Sequence, residues 1–406
     1  MRTRFGGSLI QIKHRSAREP AAAETQVATP ASAVLPSSRD RAGFTFSMQA
    51  TRMPWWAWTW PTLAWLVLLA TFSGRAAGVL AAAAGIVLIT TVFAAVYHAE
   101  VVAHRIGEPF GTIVLAVAVT IIEVALIISV MIAAPTEKAD LARDTVYAAV
   151  MIVCNGIVGA CLLWGGARHR EQGFQVQGAS AALAVLAALT TLTLILPNGA
   201  ISVPGPVFST SQLEFAGIVS LVLYGGFIFV QTVRHRDYFL PVESEHEGAQ
   251  LSPPTNRTAL VSFGLLLAAL VAVVGLAKSL TPVVETAVHI LNVPKGLVGI
   301  VIAALVLMPE GLAAVRAARA NRLQTSLNLA LGSALASIGL TIPTVAVVSI
   351  VLHQPITLGL EQKDQVLLAL TLFISVITLG TGRTTVLQGV IHLAIFAVFL
   401  FFAIVP

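Results

Sequence analysis

The chain has 406 residues, of which 57% are hydrophobic and only 11% are charged. Soluble domains carry about 25% charged residues, so this composition excludes an ordinary soluble protein and predicts a polytopic membrane protein. The formal net charge of +5 is small for this length, and in a membrane protein an excess of Lys and Arg marks cytoplasmic loops. We therefore expect membrane lipid as a partner, and no nucleic acid.

The first 52 residues differ from the rest of the chain because they are rich in Arg, Ala, Ser and Pro. This composition predicts a basic, disordered N-terminal tail. No long apolar stretch with a cleavage site is present there, so we do not interpret the tail as a cleaved signal peptide.

Apolar stretches long enough to cross a bilayer, which takes about 20 residues in a helix, follow one another along the rest of the chain. They predict an all-α fold with about eleven transmembrane helices. The predicted spans are Trp55–Phe72, Ala76–His98, Phe110–Ala134, Thr145–Gly165, Gly178–Leu196, Leu213–Val233, Thr258–Leu280, Lys295–Val315, Ser326–Leu352, Gln365–Leu379 and Thr385–Ile404.

The loop charges predict the orientation of these helices. With the N-terminus inside, ten Lys and Arg residues fall in inside loops and six in outside loops, before the basic tail is counted. The inside residues are Arg105, Arg168, Arg170, Arg234, Arg236, Arg257, Arg316, Arg319, Arg322 and Arg383, and the outside residues are Arg75, Lys138, Arg143, Lys278, Lys295 and Lys363. The positive-inside rule therefore favours a cytoplasmic N-terminus.

Two carboxylates interrupt the apolar helices. Glu123 lies in "VTIIEVALII" of the third span, and Glu310 lies in "IVIAALVLMPEGLAAV" of the eighth. Ionisable residues inside a membrane are expensive, and their default interpretation is functional. The structural alternative is a protonated or Arg-paired carboxylate that holds helices together. No Lys or Arg occupies the centre of any predicted span, so we do not expect ion pairing.

The positions of the two carboxylates indicate an internal repeat. One extra helix at 53–75 precedes a five-helix unit at 76–233, an acidic loop at 234–257 and a second five-helix unit at 258–406. Each Glu lies in the second helix of its unit. Since five is odd, consecutive units must run in opposite directions, as in secondary transporters, whose sites lie at the repeat interface near the membrane midplane.

The helix after each Glu carries a similar short sequence. "CNGIVGACL" contains Asn155 and Gly159, and "LNLALGSAL" contains Asn328 and Gly332. We expect both Asn side chains to contribute to a cation site.

Other candidate ligands surround the two carboxylates. Pro309 cannot donate a backbone hydrogen bond, so the Leu305 carbonyl loses its helical partner. It becomes a candidate oxygen ligand for a hard cation. Thr120 lies one turn before Glu123 on the same face, and Ser333 and Ser337 belong to a polar stripe on the ninth helix that continues to Thr341. Small and hydroxyl-bearing residues also pack membrane helices without binding an ion.

Three further polar groups have simpler interpretations. The long internal loop, with Glu243, Glu245, His246 and Glu247, is interpreted as solvated, with cation sensing as the alternative. His98, Glu100, His104 and Glu108 are interpreted as a solvated interfacial face. Thr384, Gln388 and His392 are interpreted as a helix–helix hydrogen-bonding stripe.

The stretches "GEPFGTIVLAVAVTIIEV" and "LVLMPEGLAAVRAARANRLQTSLNLALGSALASIGLTIP" resemble the two α-repeats of the calcium/cation antiporter superfamily. Within it, the chain resembles the ChaA-like cation/proton exchangers of bacteria, from about His98 to Pro406. The resemblance implies a bacterial inner-membrane protein whose central cation site contains Glu123 and Glu310. Ala334 and Ala160 stand where many members have an Asn, so we expect fewer side-chain amides at this site.

Charge counting predicts how such a site would work. Two ionised glutamates carry two negative charges, which one divalent cation, two protons, or one monovalent cation plus one proton would neutralise. The empty, doubly charged site is penalised in a low-dielectric interior. Charge counting therefore predicts cation/proton antiport but does not distinguish Ca²⁺ from Na⁺ or K⁺. Combined with the resemblance, it leads us to expect an antiporter that exchanges cytoplasmic cations, with Ca²⁺ favoured over Na⁺ or K⁺, for external protons, without a cofactor. The alternative is a cation channel or passive pore. A membrane enzyme is a third class, for which no zinc-type His motif is present.

Overall fold

The computed structural model describes residues 53–71, 78–107, 110–133, 139–240, 254–291, 294, 296–354 and 356–405. For residues 110–113, 115–116, 129–133, 281, 284–285 and 287–291 it describes the backbone alone. The predicted tail at 1–52, Glu108 and the acidic stretch from Glu243 to Glu247 lie outside the described residues.

Eleven continuous helices occupy the described part of the chain, and each matches one of the predicted spans. They are α1 Trp55–Thr71, α2 Val79–Ile106, α3 Phe110–Ala133, α4 Leu141–His169, α5 Val176–Gly199, α6 Thr210–Arg234, α7 Asn256–Leu291, α8 Gly296–Arg319, α9 Leu323–Leu352, α10 Gln362–Leu379 and α11 Val386–Ile404. By length and hydropathy, nine helices of this described part could cross a membrane. The prediction of an all-α polytopic fold is confirmed.

Hydrogen bonds between connections show which helix ends share a side of the molecule. On one side, strand β1 (Gln172–Gly173), between α4 and α5, pairs antiparallel with β2 (Arg383–Thr384), between α10 and α11. On the other side, Thr357 N donates to Ala139 O at 2.9 Å, which joins the α9–α10 and α3–α4 connections. The third connection of unit α2–α6 therefore shares a side with the fourth connection of unit α7–α11, so the two units are inverted.

Helix packing is consistent with two inverted units. Each helix of the first unit corresponds to the helix five places later in the chain. Helix α2 packs on its counterpart α7. Helix α4 packs on α11, and correspondingly α9 packs on α6; α4 also packs on α8, and α9 on α3. The largest buried apolar cluster is built around α4 and α9. These two helices therefore form the centre of the fold.

The extra helix α1 covers α2 and α7, and it changes the environment of α2. His98 is fully buried, and its Nε2 donates to the Ala57 carbonyl of α1 at 2.8 Å. Glu100 is half-buried, and only His104 of the described residues in this group is exposed. The prediction of a solvated face is therefore wrong for His98, because the first turn of α1 lies over it.

Within the described residues, three helices contain a π turn, a widening of the helix that is common at functional sites. The turns are Ile152–Ile157 in α4, Thr191–Ile195 in α5 and Val230–Arg234 in α6. The first of them contains Asn155 and lies at the centre of the molecule.

Candidate functional site

Glu123 lies in the middle of α3 and is almost fully buried, with 1% of its surface exposed. Ser337 Oγ of α9 donates to Glu123 Oε2 at 2.7 Å. The other carboxyl oxygen, Oε1, is buried and has no hydrogen-bond partner within the described residues. The buried hydroxyl of Thr341, one turn further along α9, also interacts with the Glu123 carboxyl group. A buried carboxyl oxygen without a close hydrogen-bond partner is suited to a proton or a cation.

Glu310 of α8 is the second carboxylate and is 9% exposed. Ser333 Oγ of α9 donates to Glu310 Oε2 at 2.5 Å. The carboxyl groups of Glu310 and Glu123 interact electrostatically. Ser333 and Ser337 are one helical turn apart, so a single polar edge of α9 holds one carboxylate from each five-helix unit.

A cleft of about 70 Å³ leads to Glu310 and to the two serines, Ser333 and Ser337, that bond the carboxylates. Its lining comes from α3, α6, α8 and α9, and its polar members are Thr120, Tyr224, Gln231, Glu310, Asn328, Ser333 and Ser337. Gln231 and Asn328 lie near the ends of α6 and α9 on the side of the molecule that carries β1 and β2. The cleft therefore extends from Glu310 toward that side. Gln231 was not predicted, and its only signal in the sequence is an amide within an apolar helix.

The structure brings five of the predicted site residues together: Thr120, Glu123, Glu310, Ser333 and Ser337. Among the described residues, no cluster of three or more His, Cys, Asp or Glu could hold a metal ion. The atoms of these five residues that could coordinate a cation are therefore carboxyl and hydroxyl oxygens, the ligand type that hard cations prefer.

The side chains of the remaining predicted site residues lie away from the two carboxylates. Asn328 lines the far end of the cleft, where its Nδ2 donates to the Phe239 carbonyl at 2.6 Å and its Oδ1 accepts from Gln324. Asn155 is fully buried and bonds to Thr371 of α10. Leu305 lies one turn before Pro309 in α8. Its side chain packs against a cluster of buried apolar residues that come mainly from α2, α3 and α7.

Helix positions also revise the expected correspondence between the two Asn residues. Counted from the first residue of α4, Asn155 is the fifteenth, whereas Asn328 is the sixth residue of α9. The fifteenth residue of α9 is Ser337, which contacts Glu123. By position, Asn155 therefore corresponds to Ser337 and not to Asn328. The sequence match misled because the two helices begin at different distances from their glutamates.

The predicted stripe at the start of α11 is only partly a helix–helix contact. Thr384 belongs to β2, and Gln388 Oε1 accepts from the backbone N of Thr385 at 2.6 Å, which caps its own helix. His392 alone bonds to other helices.

The match to a known protein family falls in two segments, which correspond to the two five-helix units. The sodium/calcium exchanger protein family matches residues 76–233 and 261–405. The protein y4hA of Sinorhizobium fredii is 50% identical over 367 residues, which cover 88% of this chain and 98% of that protein. The sodium-potassium/proton antiporter ChaA of Escherichia coli is 35% identical over 319 residues, 77% of this chain and 85% of ChaA. The crystal structure of the H⁺/Ca²⁺ exchanger CAX has the same fold, with a TM-score of 0.65 at 16% identity over 85% of this chain and 87% of that one. The resemblance noted in the sequence is confirmed.

Proposed function

We propose that this chain, which belongs to the sodium/calcium exchanger protein family, is a secondary active antiporter that exchanges a cytoplasmic cation for external protons at Glu123 and Glu310. The observation that carries the proposal is the meeting of these two buried carboxylates, one from each inverted unit, on the Ser333–Ser337 edge of α9.

The electrostatics of the pair explain how exchange would be coupled. Both carboxylates are buried, and two negative charges in a low-dielectric interior are strongly unfavourable. Either one divalent cation or two protons neutralise them. If only neutral states move between the two sides, a cation cannot cross without protons returning in the opposite direction.

Ca²⁺ is the favoured cargo because the site combines two carboxylates with several hydroxyl oxygens, and Ca²⁺ takes six to eight oxygen ligands. CAX is named as an H⁺/Ca²⁺ exchanger, whereas ChaA is named as a sodium-potassium/proton antiporter. Na⁺ or K⁺ with one proton is therefore the second candidate for this site.

The direction of transport rests on the placement of the cleft. It extends toward the helix ends that carry Arg168, Arg316, Arg319, Arg322 and Arg383, and the positive-inside rule makes this side cytoplasmic. The described conformation then offers Glu310 to cytoplasmic cations, in a bacterial inner membrane with the N-terminus inside.

The proposal is tested by proton flux in everted membrane vesicles. After respiration acidifies the lumen, Ca²⁺, Na⁺ and K⁺ are added separately and luminal pH is followed with a fluorescent dye. We expect Ca²⁺ to release protons in vesicles containing this chain and not in vesicles without it. Cation entry without proton movement would instead indicate a channel.

The two serines that bond the carboxylates should tune cation affinity. Ser333→Ala and Ser337→Ala each remove one hydroxyl oxygen and one hydrogen bond to a charged group, which is worth about 1.5–3 kcal/mol. We expect the apparent cation affinity in the vesicle assay to fall by about tenfold or more. The control is Ser220→Ala, because Ser220 is also buried but bonds within its own helix to Ala216 O at 2.7 Å; equal effects from all three changes would contradict the assignment.

Pro309 should matter through the Leu305 carbonyl that it leaves without a helical partner. We expect Pro309→Ala to restore that hydrogen bond and leave folding intact or improved, since Ala is a good helix former. Cation affinity should fall, and more for Ca²⁺ than for a monovalent ion. Unchanged apparent affinity for every cation would show that the proline serves packing alone.

The orientation can be checked directly with reporter fusions. Fusions after Arg168 and after Arg322 should report the cytoplasm, and fusions near Lys138 and Lys363 should report the outside. A cytoplasmic signal near Lys363 would contradict the proposed orientation of the second unit.

A further inference from the structure

A buried polar network lies apart from the carboxylates, where α4, α10 and α11 meet. His392 of α11 is fully buried, with Nδ1 3.2 Å from Asn155 Oδ1 of α4 and Nε2 3.2 Å from Thr378 Oγ1 of α10. Asn155 Nδ2 donates to Thr371 Oγ1 of α10 at 2.8 Å. The network therefore joins three helices through hydrogen bonds.

The partners determine the state of the histidine ring. Asn155 Oδ1 can only accept, so Nδ1 carries the proton and donates to it. Nε2 is then an acceptor and takes a hydrogen bond from the Thr378 hydroxyl. The Asn155 amide and the Thr378 hydroxyl are uncharged, and so is the Cys154 backbone carbonyl of α4, with which the ring also interacts. The network therefore holds a neutral imidazole with both nitrogens satisfied.

The network is built against the π turn Ile152–Ile157 of α4, to which Asn155 belongs. Helix α11 approaches this turn closely because two glycines leave room for it. A Cβ on Gly156 would lie 3.3 Å from the Phe396 ring, and a Cβ on Gly159 would lie 3.0 Å from His392 Cβ. The hydrogen bond from His392 to Asn155 is thus the polar anchor of a tight helix contact.

The opposite side of the same turn contacts the carboxylate helix. Ile157, the last residue of the turn, lies against α8 at Gly311, where a Cβ would stand 2.9 Å from Ile157 Cδ1. Gly311 directly follows Glu310. A shift of the π turn would therefore move the contact beside Glu310, so α11 is linked to the carboxylate through α4.

We propose that His392 is a positioning residue for exchange: its Nδ1–H bond to Asn155 holds the α4 π turn that seats Ile157 against Gly311 beside Glu310. This role rests on the proposed function, since it acts on the cation and proton binding of Glu310. In the described conformation Asn155 then has a structural role, because its side chain bonds to His392 and Thr371 and not to a carboxyl oxygen.

Two amide substitutions of His392 distinguish the loss of the Nδ1 hydrogen bond from a general effect on packing. His392→Asn places an amide NH₂ near the position of Nδ1, where it can still donate to Asn155. His392→Gln places its amide near the position of Nε2, so it can keep the contact with Thr378 but loses the donor to Asn155. The two variants are both uncharged and polar, so a difference between them reports on the Nδ1 bond.

The first readout is transport in the everted-vesicle assay with Ca²⁺. We expect His392→Gln to raise the half-saturating Ca²⁺ concentration about 3- to 10-fold, the range that loss of one buried hydrogen bond gives, and to shift the pH profile of proton release. His392→Asn should keep the half-saturating Ca²⁺ concentration within about twofold of that of the unsubstituted protein, a smaller change than the loss of one such bond would give. Its pH profile of proton release should match that of the unsubstituted protein. Asn and Gln variants that behave alike would overturn the proposal.

A second readout does not depend on transport. The chain has two cysteines, and Cys154 is buried inside the π turn beside Asn155. In a Cys161→Ala background, maleimide labelling of Cys154 reports opening of the turn. We expect labelling to be about 3- to 10-fold faster in His392→Gln than in His392→Asn. Equal labelling rates would overturn the proposal even if the protein proved not to be an exchanger.

Thr371→Val tests the network without touching the histidine, in case His392→Gln does not fold. It removes the acceptor for Asn155 Nδ2 and should also speed labelling of Cys154. The control is Thr190→Val, because the Thr190 hydroxyl is buried but bonds within its own helix to Leu186 O at 2.8 Å. If both changes affect labelling equally, the network does not hold the turn.

Discussion

Glu123→Gln and Glu310→Gln should each abolish cation-driven proton movement, to the level of vesicles without the protein. Gln is nearly isosteric with Glu and can still accept a hydrogen bond from Ser337 or Ser333 through its amide oxygen. However, it can neither carry charge nor release a proton, so the neutral states that hold one Ca²⁺, two protons, or one monovalent cation plus one proton cannot form. The measurement is luminal pH in everted vesicles after addition of Ca²⁺, Na⁺ or K⁺.

The control for both changes is Glu214→Gln, because Glu214 is an exposed carboxylate near the start of α6, on the opposite side from the cleft. This variant should exchange normally. Elution of all three variants as single species in detergent would show that they fold. Normal exchange in either the Glu123 or the Glu310 variant would show that the pair does not carry transport.

Gly389→Ala should be among the most destabilising single changes in the molecule. A Cβ at Gly389 of α11 would stand 2.4 Å from the Leu163 nitrogen, 2.8 Å from Leu163 Cα and 2.9 Å from the Gly159 carbonyl of α4. All three atoms belong to backbone, so neither helix can give way by a side-chain rotation. We expect a loss of about 3 kcal/mol or more in the free energy of unfolding, at or beyond the upper end for an overpacked site.

The matched control is Gly264→Ala in α7, where a Cβ would meet nothing within 4 Å. Because Ala is a better helix former than Gly by about 0.8–1 kcal/mol, this variant should be as stable as the parent or slightly more so. Thermal unfolding in detergent, followed by tryptophan fluorescence, compares the two. Similar midpoints for both variants would mean that α11 does not pack on α4 as closely as described.

Much of the fold could be predicted from the sequence because the membrane imposes a simple rule. Each span must be apolar and long enough to cross, so eleven apolar stretches gave eleven helices, and a lone carboxylate such as Glu123 stood out against them. The i, i+4 spacing of Ser333 and Ser337 likewise placed both hydroxyls on one face of α9. These features depend on local pattern alone.

The rest depends on contacts between distant parts of the chain, which local pattern does not encode. Hydropathy does not reveal the π turn around Asn155 or the choice of Thr371 and His392 as its partners. Asn328 looked equivalent to Asn155, but it bonds the Phe239 carbonyl, a backbone atom outside the helices. His98 looked solvated because nothing in its own helix shows that α1 lies over it.

The most direct test of two-carboxylate exchange is uphill transport by the purified protein. Proteoliposomes are loaded with acidic buffer and calcium, diluted into alkaline buffer with a lower concentration of radioactive Ca²⁺, and the label inside is followed with time. An antiporter should accumulate labelled Ca²⁺ above its equilibrium level, and should lose this accumulation when nigericin dissipates the pH gradient in the presence of K⁺. If labelled Ca²⁺ only equilibrates and the pH gradient has no effect, the protein does not couple Ca²⁺ to protons.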